Sequence, residues 1–399
     1  MAATAAQVAV VRERGRAADV AGVLVLGACV LWSLVSATER DARPEGVLLA
    51  VLALSAGYAC GRISGTLLPV SAAAVASLAA LGLALASGPG VPGATPFDSV
   101  RPGDTGATVA LLVLAAGAAC CAAPAARSGS GRLALRALAL AVAGSALMLG
   151  SVAGFVAVIG VLLCSLAAVR MRRRLLGLAG LALATGLAVG ATWAVAEERL
   201  PEGLAVSLEG QLTSHRVLLW QDALALAKEN PVLGVGPDRF GVLSPTARET
   251  LPSDGKPHSA VLQQAAEQGV PGVVLLGAAY GWMLWGLWSS PRTTAVVLTA
   301  GAGLTALAAV AMVGNALSFT PVTAGAGLLA GLAAARAAQA PTEADPADRG
   351  DRGDRTDETA WRGETDWRDR TDRGDRTAWR DRTDRGHRTA WKDGTDRAD

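Results

Sequence analysis

The sequence predicts an all-α protein, a polytopic transmembrane helical bundle of about ten spans with one large extracytoplasmic loop and a disordered C-terminal tail. Three observations predict this fold class. The chain of 399 residues is 51% hydrophobic but only 4% aromatic, and its apolar runs reach the roughly 20 residues that a helix needs to cross a bilayer. One long polar segment, at residues 197–269, interrupts these runs. Beyond residue 338 the chain is densely charged and repetitive.

Hydropathy places the ten spans along the first 338 residues. The fifth and sixth spans are divided at Gly150-Ser151, because residues 133–169 are otherwise apolar throughout. Basic residues precede the first apolar run, as in a secretory signal, but nine further apolar segments favour an uncleaved span. The predicted spans cover residues 20–37, 46–61, 67–87, 107–123, 133–149, 152–169, 174–195, 270–288, 293–315 and 319–338.

The distribution of basic residues predicts how the bundle is oriented in the membrane. With the N-terminus in the cytoplasm, Arg62, the Arg127/Arg132 loop, the Arg170–Arg174 cluster and Arg292 all fall on the cytoplasmic side, as the positive-inside rule requires. The other loops carry mixed charge. We therefore predict a multi-pass protein with both termini cytoplasmic and the 197–269 loop extracytoplasmic, and a large loop is the natural place for chemistry.

The chain divides into two predicted domains, a transmembrane domain over residues 1–338 and a low-complexity tail over residues 339–399. Threonine recurs every six residues from Thr359 to Thr395, in units such as TAWRDR and TDRGHR. Apart from spaced tryptophans the tail has little to bury, so we predict that it is disordered. It is either a tether to a partner or to the inner lipid face, or a tolerated expansion, and its mixed-sign charge favours the second.

Composition and spacing exclude several kinds of site. A net charge of +2 without a one-sided basic segment excludes nucleic acid as a partner. The five cysteines fall in apolar runs and form no C-x-x-C pair, as small apolar residues of membrane helices do. His215 and His258 are 43 residues apart without paired carboxylates, so no metal is predicted. Gly234 and Gly236 follow no strand and lack a P-loop lysine, so they form a turn, and no cofactor is predicted.

The polar residues between positions 214 and 272 follow a pattern that the rest of the chain lacks. It reads R-x3-W-x-D-A from Arg216, N-P-x-x-G-x-G-x3-F from Asn230, and H-S-x3-Q-x3-E-x-G-x-x-G from His258. This pattern resembles the signature region of the O-antigen ligase/polymerase family. Members of that family are polytopic membrane glycosyltransferases that move a glycan from a polyprenyl-diphosphate carrier to an acceptor.

Two helices and a turn are predicted within this motif. Helical spacing over residues 212–229 ends at Asn230-Pro231, because a residue before proline is pushed out of the α region. The glycines that follow make a tight turn, which we expect to bring Arg216 and His258 together. A second helix is predicted to begin near His258 and to run to residue 268, after which Gly269 marks the entry into the eighth span.

Arg216 is the first residue to which the resemblance assigns a catalytic role. On a helix it shares a face with Trp220, Ala223 and Ala227, and an arginine on an apolar face near a bilayer is costly unless it meets an anion. Its guanidinium fork suits two oxygens of a lipid diphosphate, although snorkelling to lipid headgroups is the alternative. Trp220 on that face and Arg239 beyond the turn are predicted to contact the substrate.

His258 is the second catalytic candidate, because the family's histidine falls on this position. A neutral imidazole just outside the membrane can take the proton of an acceptor hydroxyl as that hydroxyl attacks the anomeric carbon. A surface or helix-cap histidine is the alternative interpretation. The next residue is Ser259, where the family often has asparagine. Gln263 and Glu267 follow on the same helix, where they support the histidine or serve as core or cap residues, and we predict that Gln263 binds substrate.

The resemblance implies an inverting, metal-independent glycosyltransferase in a bacterial plasma membrane, surrounded by membrane lipids. Its donor would be a polyprenyl-diphosphate-linked glycan, and its acceptor a glycan, a lipid or a protein. Two features depart from the family. Val152, in the sequence Gly150-Ser151-Val152-Ala153-Gly154, stands where members often carry a further arginine, and the chain has about two spans fewer than usual.

Two alternative functions remain open at the level of sequence. A transporter would carry ionisable residues within several spans, and spans one to seven hold almost none. A catalytically degenerate member of the family would instead scaffold a glycan-export complex, for which the valine at position 152 and the long tail are arguments.

Overall fold

The computed structural model describes residues 2–38, 41–87, 105–197, 214–249 and 255–336, and every regular element in these ranges is a helix. The all-α fold class is therefore confirmed. The predicted tail at 339–399 and parts of the 197–269 loop lie outside the described residues.

The α-helices are α1 (Ala2–Ala37), α2 (Glu45–Leu67), α3 (Pro69–Ala86), α4 (Thr105–Ala122), α5 (Gly129–Met148), α6 (Val152–Ala168), α7 (Arg174–Ala196), α8 (Ser214–Glu229), α9 (Phe240–Leu243), α10 (Pro245–Glu249), α11 (Ala260–Trp288), α12 (Thr294–Val313) and α13 (Thr320–Ala334).

Helices lie at all ten predicted spans, which correspond to α1–α7 and α11–α13. Eight of the described helices are long and apolar enough to cross a membrane, while α6 and α13 are apolar but shorter. Gly150 has a φ of +71° and forms the predicted turn between α5 and α6. Because residues with a side chain rarely adopt this φ, the glycine fixes the point where one helix ends and the next begins.

Helix α2 is longer than predicted and ends at Leu67 rather than at residue 61. The predicted span stopped before Arg62, since a charged side chain inside a membrane helix is costly. In the structure, Arg62 Nη1 donates to Asp19 Oδ1 of α1 at 2.7 Å and to the Tyr58 hydroxyl at 3.1 Å. With its charge paired in this way, Arg62 stays inside the helix and links α2 to α1.

Two helices, α4 and α12, form the centre of the bundle, and most of their spanning residues are buried. Helix α4 contacts α3, α5, α6, α12 and α13. Its sequence is rich in alanine and glycine, which lets neighbouring helices approach closely. Several other long helices expose aliphatic side chains such as Leu24, Leu83 and Leu187, as expected for surfaces that face lipid.

Helices α2 and α13 pack backbone against backbone through glycines. A Cβ atom added to Gly57 or Gly61 of α2 would lie 2.1 Å from the Ala324 carbonyl oxygen or 2.3 Å from the Leu328 carbonyl oxygen of α13. On the facing surface, a Cβ at Gly327 would lie 2.1 Å from the carbonyl oxygen of Leu54. No side chain fits at these distances, so the glycines are required for this contact.

We expect Gly61→Leu to separate α2 from α13 and to destabilise the bundle by at least the roughly 1–3 kcal/mol typical of overpacking. The measurement is the thermal unfolding temperature of the detergent-purified protein, together with the fraction that elutes as a single species. Gly82→Leu is the matched control, because nothing lies within 4 Å of a Cβ at that position in α3. Equal unfolding temperatures of the two variants would show that α2 and α13 can separate without loss of stability.

Arginines at the end of the bundle opposite the motif bind backbone carbonyls. Arg174, at the start of α7, donates to the carbonyl oxygens of Trp288 at 3.0 Å and of Ser290 at 2.7 Å, and also to that of Arg292. Arg292 in turn donates to the carbonyl oxygen of Ala335 at 2.9 Å. These guanidinium groups therefore satisfy carbonyls that the helix ends leave free. That this end is cytoplasmic remains a prediction.

Candidate functional site

Helix α8 carries the first part of the motif and packs on the first half of α11. Trp220, on this helix, is only 1% exposed and belongs to a hydrophobic core separate from that of the spans. An indole buried to this extent packs, and it would reach a substrate only if the loop opened. The buried members of this core are Ala196, Leu219, Trp220, Ala223, Leu224, Phe240, Ala247, Leu262 and Ala266.

Asp222, the acidic residue of the R-x3-W-x-D-A segment, fastens α8 to the short helix α10. Its Oδ2 accepts a hydrogen bond from the Ser244 hydroxyl at 2.5 Å and from the Thr246 backbone N–H at 3.1 Å. The Ser244 hydroxyl also accepts from the Ala247 N–H at 3.1 Å and so caps the start of α10. These hydrogen bonds give Asp222 a structural role, and no catalytic role is needed to explain an aspartate at this position.

We expect Asp222→Ala to lower the free energy of unfolding of the loop by about 1–3 kcal/mol, because it leaves two buried donors without a partner. Asp222→Asn keeps an acceptor oxygen at the same place and should lose less. Limited proteolysis of the loop in the membrane-embedded protein measures the difference. Indistinguishable cleavage of wild type and Asp222→Ala would show that this carboxylate does not hold the loop.

Helix α11 is broken near its start, where two helices were predicted to meet. Gly269 has a φ of +69° and a ψ of −165°, a conformation that essentially only glycine adopts. Pro271 lacks an N–H and cannot donate to the carbonyl of Glu267 one turn earlier. The Gly236 N–H donates to that carbonyl instead, at 2.9 Å. The helix and the eighth span therefore form one kinked element, and the loop satisfies the carbonyl freed at the kink.

The glycine turn of the loop pairs with the same kink through further backbone bonds. The Val235 N–H donates to the Ala266 carbonyl at 2.8 Å, and the Val270 N–H donates to the Pro231 carbonyl at 2.8 Å. Gly234 has a φ of +63°, and a Cβ there would lie 2.3 Å from the carbonyl carbon of Glu267. The spacing N-P-x-x-G-x-G followed by E-x-G thus describes a backbone interlock between the loop and α11.

The first two helices also reach this part of the molecule. The Trp32 indole N–H of α1 donates to the carbonyl of Gln268 at 3.0 Å, another carbonyl beside the kink. The Arg43 backbone N–H, in the turn between α1 and α2, donates to the Pro237 carbonyl at 3.1 Å. The motif is therefore held against the end of the bundle where α1 ends and α2 begins.

A cavity of about 460 Å³ opens beside the kink and is lined by α1, α2, α7, α11, α12 and α13 together with the loop. Most of its wall is aliphatic, and it includes Leu54, Leu276 and Met283. Along α11 the charged and amide side chains that line the cavity all precede the kink, and the residues that follow it are apolar apart from Tyr280. The polar and charged residues that line the cavity include Arg43, Glu45, Asp238, Lys256, Gln263, Gln264, Glu267 and Gln268.

Of the residues predicted to form the site, Gln263 lines this cavity, whereas Arg216, Trp220, Arg239 and His258 do not. His258 is half-buried and follows Lys256, which lines the cavity, by two residues. Its φ of +52° is unusual for a residue with a side chain. Backbone strain of this kind is concentrated at functional sites.

Arg216 is half-buried on α8, and within the described residues its side chain makes no hydrogen bond or ion pair. Desolvation by burial lowers the pKa of the Arg216 guanidinium from its ordinary value. The group nevertheless stays charged, because no condition compatible with a folded protein removes its proton. Arg239 is also half-buried. The structure therefore keeps an unpaired cation at Arg216 but does not bring it to the cavity wall.

Sequence reasoning did not assign Arg43 or Gln268 to the site, and it treated Glu267 only as a neighbour of His258. Glu267 is 3% exposed, accepts from Gln263 Nε2 at 3.4 Å and from the Asp238 backbone N–H, and lines the cavity. Gln268 is also 3% exposed, and its Nε2 has no hydrogen-bond partner. The sequence does contain a signal for Glu267 and Gln268, because they are two neighbouring polar residues just before the helix-breaking Gly269.

Residues 137–277, from α5 to the middle of α11, match the family model described as O-antigen ligase. Over these residues the chain is similar to the O-antigen ligase family. The resemblance found in the motif is therefore confirmed, and the matched segment contains both Arg216 and His258. No curated protein and no solved structure matched the chain. The cavity is lined in part by α1, α2, α12 and α13, which lie outside the matched residues.

Proposed function

We propose that this protein is a membrane glycosyltransferase that moves a glycan from a polyprenyl-diphosphate carrier to an acceptor hydroxyl. The observation that carries the proposal is a single cavity with an aliphatic body and a polar end built by the ligase-family motif. A lipid-linked sugar has the same two parts. Sites that bind small molecules are commonly apolar with a few placed polar groups.

The two ends of the cavity suit the two ends of the proposed donor. Leu276 and Met283, beyond the kink in α11, lie in an aliphatic wall that favours a prenyl chain over water. Arg43 and Lys256 bring positive charge to the polar end, where a diphosphate would be bound. The orientation predicted from the basic residues places this end on the outer side of a bacterial plasma membrane.

The proposed reaction forms a bond between the acceptor oxygen and the anomeric carbon of the donor sugar. The bond between that carbon and the diphosphate oxygen breaks, and its electron pair leaves with the diphosphate. His258 takes the proton of the acceptor hydroxyl, and Arg216 stabilises the charge that develops on the diphosphate. Neither side chain lines the cavity in the structure, so these roles require the loop to move toward the bound substrate. Attack from the face opposite the leaving group inverts the anomeric centre. The scheme uses no nucleotide or metal, because the donor already carries its leaving group.

The strained backbone at His258 supports its role as the base. A φ of +52° costs free energy unless the surrounding structure holds it. A histidine needed only as a helix cap has no reason to occupy this region, in which asparagine or glycine is far more common. Pro257 before it and Ser259 after it are both buried, so the backbone on either side of His258 is held in place.

The test is deletion of the gene followed by profiling of surface glycans and of lipid-linked intermediates. We expect the glycan to be lost and its polyprenyl-diphosphate-linked precursor to accumulate, and expression of the wild-type chain should reverse both. An unchanged glycan profile in the deletion strain would contradict the proposal. It would direct the search to solute transport, measured as uptake of labelled solutes into proteoliposomes.

A further inference from the structure

Two neighbouring polar side chains, Glu267 and Gln268, are buried on the cavity wall. Glu267 is the one acidic or basic side chain that is buried within the described residues. No ion pair to it is present there, and its hydrogen bonds come from Gln263 and from the Asp238 backbone. Gln268 has a buried amide nitrogen without a hydrogen-bond partner among the described residues. Because an unsatisfied buried donor costs free energy, such a group calls for a ligand.

The last glycine of the motif makes room for this arrangement. A Cβ atom at Gly272 would lie 2.4 Å from Gln268 Cβ and 3.3 Å from Gln264 Oε1. Gly272 itself lines the cavity, as do both glutamines. A side chain at 272 would collide with Gln268, so the glycine allows both glutamines to keep their places on the cavity wall.

The chemistry of the pair decides which part of the donor or acceptor it fits. A carboxylate accepts hydrogen bonds and repels phosphate, which excludes the diphosphate. Buried polar atoms are a poor surface for a prenyl chain, because they lose hydrogen bonds to water without replacement. An acceptor group beside a donor group is the arrangement that binds a hydroxyl, which needs one partner of each kind.

We propose that Glu267 and Gln268 form a binding site for a sugar hydroxyl at the polar end of the cavity. This inference rests on the proposed function and deepens it by separating sugar recognition from diphosphate binding. A carboxyl oxygen of Glu267 accepts a hydrogen bond from the sugar O–H, and Gln268 Nε2 donates to the hydroxyl oxygen. The sugar is either the first residue of the lipid-linked donor or the acceptor, since both present hydroxyl groups.

The variant Gln268→Met tests the proposal, because it keeps the length of the side chain and removes the unpaired donor. Thr299→Val is the matched control: Thr299 is fully buried with an unpartnered hydroxyl but does not line the cavity. Neither variant should lower the thermal unfolding temperature, since each removes a buried group that lacks a partner. A clear loss of stability in Gln268→Met would show that its amide has a structural partner and would overturn the proposal.

Binding to the purified full-length chain is measured with three probes: polyprenyl diphosphate, the same lipid carrying one hexose, and the free methyl hexoside. We expect Gln268→Met and Glu267→Gln to weaken binding of a sugar-bearing probe roughly tenfold and to leave the bare lipid unchanged. Loss confined to the hexose-bearing lipid assigns the site to the donor. Loss confined to the methyl hexoside assigns it to the acceptor.

The outcomes that overturn the inference are distinct from those that overturn the proposed function. If the wild-type chain binds the bare lipid but all variants bind the three probes as it does, the hydroxyl site is wrong and the proposed function stands. The same conclusion follows if Thr299→Val weakens sugar binding as much as Gln268→Met. If the wild-type chain does not bind polyprenyl diphosphate, the proposed function fails and this inference fails with it.

Discussion

Replacing His258 by glycine should lower the rate of glycan transfer by about 10²–10⁴-fold, the usual contribution of a positioned general base. Glycine adopts the φ of +52° found at this position without strain. The loss therefore cannot be attributed to a backbone that no longer fits. The measurement is transfer by the purified protein in proteoliposomes, with the lipid-linked precursor from the deletion strain as donor.

Two further variants separate the imidazole from the backbone. His258→Asn keeps a polar residue that tolerates a positive φ better than most, yet it cannot act as a base near neutral pH, so it should be as inactive as His258→Gly. Added imidazole should restore part of the activity of the glycine variant. His215→Ala is the control, since His215 is the other histidine before the tail. Full transfer by His258→Asn would show that only the local conformation matters.

Arg216→Ala should reduce transfer by about 10²–10³-fold, as expected when one group that stabilises developing negative charge is removed. The same substitution should raise the thermal unfolding temperature or leave it unchanged. Arg216 is half-buried without an ion pair in the described residues, so its desolvation is uncompensated until a ligand is bound. The thermal unfolding temperature and the transfer rate, measured on the same preparation, test both expectations.

Two further variants, Arg216→Lys and Arg248→Ala, test whether the effect depends on the guanidinium group of Arg216 in particular. Lysine keeps the charge but loses the planar fork that binds two oxygens at once, so its activity should lie between wild type and alanine. Arg248 is an exposed arginine of the same loop, and its loss should leave transfer unchanged. If Arg216→Ala transfers glycan at the wild-type rate, Arg43 and Lys256 on the cavity wall become the candidates for diphosphate binding.

The motif separates into residues that build the loop and residues left for chemistry. Trp220 packs in its core and Asp222 ties two of its helices together. The glycines at 234 and 269 permit the backbone interlock with α11. Within the described residues Arg216 makes no such structural contact, and His258 has the unusual φ of +52°. A catalytically degenerate relative would keep the first group and could lose the second, which is why variants at these two positions decide between enzyme and scaffold.

Several features of the fold were predictable because their causes are local. Apolar runs of membrane length predict the helices α1–α7 and α11–α13, and Gly150 and Gly269 mark breaks because few residues other than glycine adopt their backbone angles. The family was predictable from residue types at fixed spacing in one segment. The prediction ended α2 too early, before Arg62. The residue that pairs with Arg62 is Asp19, which lies 43 positions away in the sequence and is not revealed by a local pattern.

By itself, therefore, the sequence determined an all-helical membrane bundle, the position of its breaks and its resemblance to the O-antigen ligase family over residues 137–277. Only the tertiary structure decided which motif residues are structural and where the cavity lies. Part of the cavity wall comes from α1, α2, α12 and α13, outside the matched segment. The physical reason is that a carbonyl freed by Pro271 needs a donor from a distant part of the chain, here Gly236. Hydropathy and spacing indicate that a helix breaks, but they do not indicate which distant residue donates a hydrogen bond to the carbonyl freed at the break.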